Sequence, residues 1–351
     1  MGWFAMKTAT KCWILAGATG LLMACSHSVD LSQDTEAQWR VSDGQGGQMA
    51  SVYAPGGAAQ QPTAAPTPQV APSQPAAAQR ATPSHGVDFV MGAPQPNAYA
   101  FIVGIEDYRS VTPTPGARAD AEHFAEMVEK TLGVPHRNIH LLTDGDATRS
   151  DILATLSWME RNVSSDGRIY FFFSGHGSPN VETGDSYLLP YEGQPETIEF
   201  SGIALQDVLD GLERTPAREV MAFVDACFSG SGDRSALPAG ARPLVPVQET
   251  SVQPDSKVAF FASSGAAEIS GTNAEGTSGL FTHHLLRAIG EGRADMDGDG
   301  MISIDELQSY IAPRVSRDAR RLNREQTPTA NISDGLGSGE NIMLLWGLPR
   351  N

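Results

Sequence analysis

Two residues in this chain have the types that nucleophilic catalysis needs, and each sits where a rigid element gives way to small residues. His176 lies in FFFSGHG (Phe171 to Gly177) and Cys227 in VDACFSGSG (Val224 to Gly232). A thiolate is the attacking species in thiol chemistry, and a neighbouring imidazole lowers the thiol's pKa or takes its proton. Gly175, Gly177, Ser229 and Gly230 let a substrate backbone approach closely, and the Gly177 and Cys227 N–H groups would face a developing oxyanion. A zinc site is the other option for a His/Cys pair. It needs three or four ligands, and no second cysteine remains in the folded part of the chain.

These residues must be held by strands. Ile169–Phe173 and Val220–Val224 are short apolar runs, as expected of strands buried on both faces, and one strand-helix-strand unit separates His176 from Cys227. Ligands in open parallel sheets bind beyond the carboxyl ends of the strands, so adjacent parallel strands would bring both side chains to one edge. Around these two runs the pattern alternates. Strands are expected at AYAFIVGIEDY (from Ala98), NIHLLT, KVAFFASS and NIMLLWG. Helices are expected at ARADAEHFAEMVEKTLG, after a Ser150 cap, at IALQDVLDGLE, at SGLFTHHLLRAIG and at ISIDELQSYIAPRV. The reading is an α/β domain with a mostly parallel central sheet of about six strands and helices on both faces.

A second constellation lies in DMDGDGMISIDE. Asp295, Asp297, Asp299 and Glu306 occupy positions one, three, five and twelve of an EF-hand loop. Met301 offers its carbonyl at seven, Ser303 stands at nine, and Gly300 permits the sharp turn. This makes calcium the candidate cation, against the plainer reading of a solvated acidic turn. No cofactor is needed for the thiol chemistry itself.

The 351 residues carry a net charge of -17, which repels phosphate backbones and argues against a nucleic-acid partner. Lys7 and Lys11 precede a short apolar run that ends in LLMAC, the pattern of a secretory signal over residues 1–25. The ending resembles a bacterial lipobox. That resemblance implies cleavage before Cys25, lipidation of Cys25 and an exported, envelope-bound protein held to the membrane by its lipid, at the outer membrane in a Gram-negative cell. Residues 26–96 are rich in Pro, Ala and Gln, as expected of a disordered tether. The folded domain is expected over 97–351. Cys227 is then its lone thiol.

FFFSGHG and VDACFSGSG together resemble the caspase and metacaspase group of cysteine peptidases. FIVGIEDY, GARADAEHF, DSYLLP, ASSGAAEIS, GLFTHHLL and EQTPTA resemble further segments of that group. The resemblance implies a caspase-like fold with a large-subunit part (97–230), a linker (231–256) and a small-subunit part (257–351) carrying the 295–306 loop. It implies a cysteine endopeptidase acting on proteins or peptides, with Cys227 as nucleophile and His176 as general base. Asp120, Ser174 and Asp225 match pocket positions of metacaspases. Two carboxylates in a pocket attract a cationic side chain and repel an acidic one, so cleavage after Arg or Lys is expected. Otherwise Asp120 caps a helix and Asp225 ends a strand. Arg234 and Arg242 lie in the Pro- and Gly-rich linker, where self-cleavage is expected. The competing function is a non-catalytic envelope lipoprotein that uses the fold as a calcium-dependent binding module.

Overall fold

A computed structural model describes residues 87–229, 234–236, 247, 250–333, 336 and 344–345. The signal segment with Cys25, most of the tether, and Arg242 lie outside the described residues.

The chain runs β1 (Ala98–Gly104), α1 (Ala117–Lys130), β2 (Ile139–Thr143), α2 (Arg149–Asn162), β3 (Arg168–Ser174), β4 (Gly177–Pro179), β5 (Ser186–Leu188), α3 (Ile198–Ser201), β6 (Ile203–Ala204) and α4 (Leu205–Arg214). Then follow β7 (Glu219–Asp225), β8 (Val258–Ala262), α5 (Leu280–Gly290), β9 (Met301–Ile302), α6 (Ile304–Arg321), β10 (Thr329–Asn331) and β11 (Leu344–Leu345). The main sheet has six strands in the order β10-β8-β7-β3-β1-β2, parallel throughout except for β10. Because β2 and β3 flank β1 on opposite sides, the strand order reverses beside β1, which is where such sheets open a crevice at their carboxyl ends.

The sheet is covered on both sides, which is why its central strands are apolar along their whole length. Alternate residues divide between two cores. Ala100, Ile102, Tyr170, Phe172, Met221, Phe223 and Phe261 pack with α1, α5 and α6. Phe101, Val103, Phe171, Phe173, Val220, Val224 and Phe260 pack with α2 and α4. A fully buried Phe contributes roughly 1.5–3 kcal/mol. Phe124 of α1 stacks on Phe172, with ring centroids 4.4 Å apart. Removing either ring would loosen the layer that holds β3.

Four sequence expectations change. The α2 cap is Thr148, whose side chain accepts from the Asp151 N–H, so Ser150 falls inside the helix. Ile152, Leu156, Met159 and Val163 are nonetheless buried as the periodicity predicts. The sixth strand of the main sheet is β10, and from NIMLLWG the structure describes only β11, which pairs with β9 in a separate ribbon. The folded part also begins before Asn97. Val90 N–H donates to the Gly290 carbonyl at 2.8 Å, Gly92 N–H to Lys130 at 2.9 Å, and Phe89 packs on the core. Finally, β4, β5 and β6 form a small antiparallel sheet directly after His176, which no apolar run in the sequence announces.

Candidate active site

The register of the sheet sets the site. Gly104, Ser174 and Asp225 are side-by-side partners at the ends of β1, β3 and β7. His176 and Cys227 each follow two residues later, on the same edge. His176 leads straight into β4, and Cys227 into the loop after β7.

His176 is held on two sides. Its N–H donates to the Tyr108 hydroxyl at 2.7 Å, and the two rings lie with centroids 4.9 Å apart. Its Nε2 lies 2.7 Å from the Thr112 carbonyl. A carbonyl only accepts, so Nε2 carries the hydrogen and Nδ1 is left with its lone pair. Nδ1 is buried with no hydrogen-bond partner among the described residues. Burial lowers the His176 pKa, so the ring is neutral at physiological pH. Gly175 makes the arrangement possible, since a Cβ there would stand 2.5 Å from the Tyr108 hydroxyl. The Cys227 side chain is fully buried, with Sγ 3.2 Å from Ser229 Oγ and 3.7 Å from the Glu268 carbonyl.

The Gly177 and Cys227 N–H groups converge on one oxygen, the carbonyl of Arg234, at 3.0 and 3.2 Å. The Arg234 side chain turns back into the sheet edge and is wholly buried. Its Nη2 pairs with Asp120 Oδ2 at 2.9 Å. Its Nη1 donates to Ser174 Oγ at 2.7 Å and to the Asp225 carbonyl at 3.0 Å, and lies 3.8 Å from Asp225 Oδ1. The structure therefore brings Asp120, Ser174 and Asp225 around one guanidinium. Asp120 is not the α1 cap; Gly116 holds that position.

The carboxylates are themselves fixed from behind. Asp120 accepts from Ser278 Oγ at 2.5 Å and from Gly279 N–H at 2.9 Å. Asp225 accepts from Ser270 Oγ at 3.0 Å and from Thr282 through both N–H and Oγ1, at 3.2 and 2.7 Å. Burial pushes the Asp120 carboxyl up to about 6; the Arg234 guanidinium opposes this and the Asp225 charge adds to it. Gly279 closes the pocket: a Cβ there would stand 2.0 Å from Asp225 Oδ2 and 2.7 Å from Arg234 Nη2. Sequence reasoning misses Tyr108, Thr112, Ser270, Ser278, Gly279 and Thr282 as site residues. They come from loops and a helix start, where periodicity carries no signal, although five of them lie inside or directly beside the quoted segments FIVGIEDY, ASSGAAEIS and GLFTHHLL.

The acidic loop after α5 stands apart from this site in sequence and role. Carboxylate oxygens of Asp295, Asp297 and Asp299 lie within 4.8 Å of one another. Glu306, at position twelve, reaches back over this loop, accepting from the Met296 N–H at 2.9 Å and the Asp297 N–H at 3.4 Å, and also closes a capping box with Ser303, the α6 N-cap. Met301 lies in β9, paired to β11.

A family model described as the caspase domain matches residues 97–334. Metacaspase-1A of Aspergillus oryzae is 24% identical over 170 residues, covering 42% of this chain and 41% of that protein. A probable protease of a Desulfuromonadales bacterium is 25% identical over 256 residues, covering 66% of this chain and 31% of its own length. The chain thus spans well under half the length of these curated relatives. A solved protein of Geobacter sulfurreducens shares the fold, with TM-score 0.50 at 18% identity over 70% of this chain and 98% of that one.

Proposed function

The chain belongs to the caspase-domain family, and we propose that it is a cysteine endopeptidase that cuts polypeptides after arginine or lysine, its own Arg234–Ser235 bond among its substrates. One observation carries this reading. Arg234 lies with its guanidinium between two buried carboxylates while its carbonyl accepts from the Gly177 and Cys227 N–H groups. That is how a residue before a scissile bond would be held, with its side chain in a charge-matched pocket and its carbonyl oxygen where negative charge develops.

In the proposed reaction, His176 Nδ1 takes the Cys227 proton and the thiolate attacks the Arg234 carbonyl carbon. The oxygen gathers negative charge against the Gly177 and Cys227 N–H groups. The carbon–nitrogen bond then breaks as the proton passes from Nδ1 to the Ser235 nitrogen. Water, deprotonated by His176, hydrolyses the thioester and frees the thiol. The Thr112 carbonyl holds the imidazole in the tautomer this requires, and Tyr108 fixes its backbone.

Purified enzyme is expected to release dye from peptides ending in Arg or Lys and not from those ending in Asp. Cleavage after Asp, or after none of the three, would contradict the assignment. Calcium is proposed to bind at Asp295, Asp297 and Asp299, whose carboxylates suit a hard cation, with Glu306 drawn from its capping contacts. A chelator arm and a calorimetric titration test this; no heat at millimolar calcium would make the loop a turn only. The lipobox-like LLMAC supports an exported protein anchored through Cys25, tested by mass analysis of the membrane-bound form.

Asp120 holds a guanidinium only when ionised. As pH falls from 7 to 5 through its pKa of about 6, KM for arginine peptides is expected to rise about 10-fold. A flat KM over that range would remove Asp120 from the pocket.

A further inference from the structure

The segment that occupies the site does not stop at the scissile bond. Ser235 and Ala236 continue from Arg234 along β4, and Ser235 forms a parallel bridge with Gly177. The Ala236 N–H donates to the Gly177 carbonyl at 3.0 Å. Gly177 therefore grips the bound chain with both its backbone groups. Its N–H holds the carbonyl oxygen of the residue before the cut, and its C=O holds the N–H of the second residue after it. The Ala236 side chain is buried, in an apolar pit floored by Leu189 and Ile198 and walled by Tyr108, Val111 and Tyr187. A Cβ on Gly177 would meet the Cys227 carbonyl at 2.7 Å and the Phe228 ring at 2.8 Å, so no side chain at 177 can share this space.

We propose that this site also selects its substrates on the far side of the cut: the second residue after the scissile bond must carry a free N–H for the Gly177 carbonyl and a small apolar side chain for the Leu189–Ile198 pit. The inference rests on the cysteine-endopeptidase reading and adds a second determinant to it. The substrates are then internal stretches of unfolded or looped polypeptide, Arg followed two residues later by Ala or a residue of similar size, as in Arg234-Ser235-Ala236. Proline at that position has no N–H to give. A carboxylate would be buried without a partner, and an indole would have to displace the Leu189 and Ile198 side chains that cluster with Ala236. The contact also has a catalytic consequence. A substrate that lacks those two residues, such as an arginyl dye amide, leaves the Gly177 carbonyl unused and is less firmly positioned against the oxyanion donors.

The test uses the full-length processed enzyme and internally quenched peptides alike except at one position: Arg, then Ser, then Ala, N-methyl-alanine, Pro, Asp or Trp. The expected result is a kcat/KM for Ala at least about 10-fold above that for each of the others. Ile198→Ala enlarges the pit, and its preferred residue is expected to move from Ala to Val or Leu. Equal rates across the wild-type series, with cleavage after Arg retained, would overturn this inference and leave the endopeptidase reading standing. Absence of cleavage after Arg in every peptide would sink both.

Discussion

Cys227→Ala is expected to lower peptide hydrolysis by about 10^4-fold or more, to the level of the uncatalysed background in a fluorogenic assay. The size follows from the role. With no sulfur there is no covalent intermediate, and the remaining groups, two N–H donors and a neutral imidazole, only bind. The substitution removes one buried sulfur at the end of β7 and leaves Asp225 and its partners in place, so the variant should fold, with Arg234 held uncut in the pocket. Unchanged hydrolysis in the variant would mean that another nucleophile does the chemistry.

Asp225→Asn is the second large effect. Arg234 faces two carboxylates, and the substitution takes away one charge while nearly conserving shape. The Asp225 carboxylate lies 3.8 Å from Arg234 Nη1, a buried charge contact without a hydrogen bond of its own, so losing its charge should lower kcat/KM for arginine peptides about 10- to 100-fold. Discrimination between arginine and uncharged residues should fall with it. The variant will also be less stable. Asp225 accepts three hydrogen bonds from Ser270 and Thr282, and an amide nitrogen cannot accept one. A folded Asp225→Asn enzyme that keeps its preference for arginine would show that the pocket is elsewhere.

Much of the scaffold is legible in the sequence because the central strands are buried on both faces and so read as unbroken apolar runs. Ile169–Phe173 and Val220–Val224 are the plainest cases. Their register then places Ser174 against Asp225, and His176 and Cys227 beyond them, without any side-chain information. The edge strand Thr329–Asn331 is not legible. It is three half-buried residues whose strand character comes from pairing with Phe260–Ala262 rather than from their own pattern. The small sheet of β4, β5 and β6 is hidden for the same reason.

Arg234 shows a different limit. Its place in a Pro- and Gly-rich linker marks it as a point of exposure to proteolysis. The structure instead buries its side chain completely, because Asp120, 114 residues away in the chain, supplies the counter-charge. Nothing local encodes that partnership. The acidic loop is the reverse case: Asp295, Asp297 and Asp299 cluster as their spacing predicts, and Glu306 both caps α6 with Ser303 and accepts from the Met296 and Asp297 N–H groups of the loop.

The most direct test is the mass of the protein's own fragments. Full-length wild-type chain and Cys227→Ala would be incubated under reducing conditions, with calcium or with chelator, and weighed by intact mass spectrometry. The account predicts one fragment ending at Arg234 and another beginning at Ser235 in the wild type, and an intact chain in the variant. A wild-type chain that stays whole in every condition, or one that is cut at the same bond without Cys227, would contradict it.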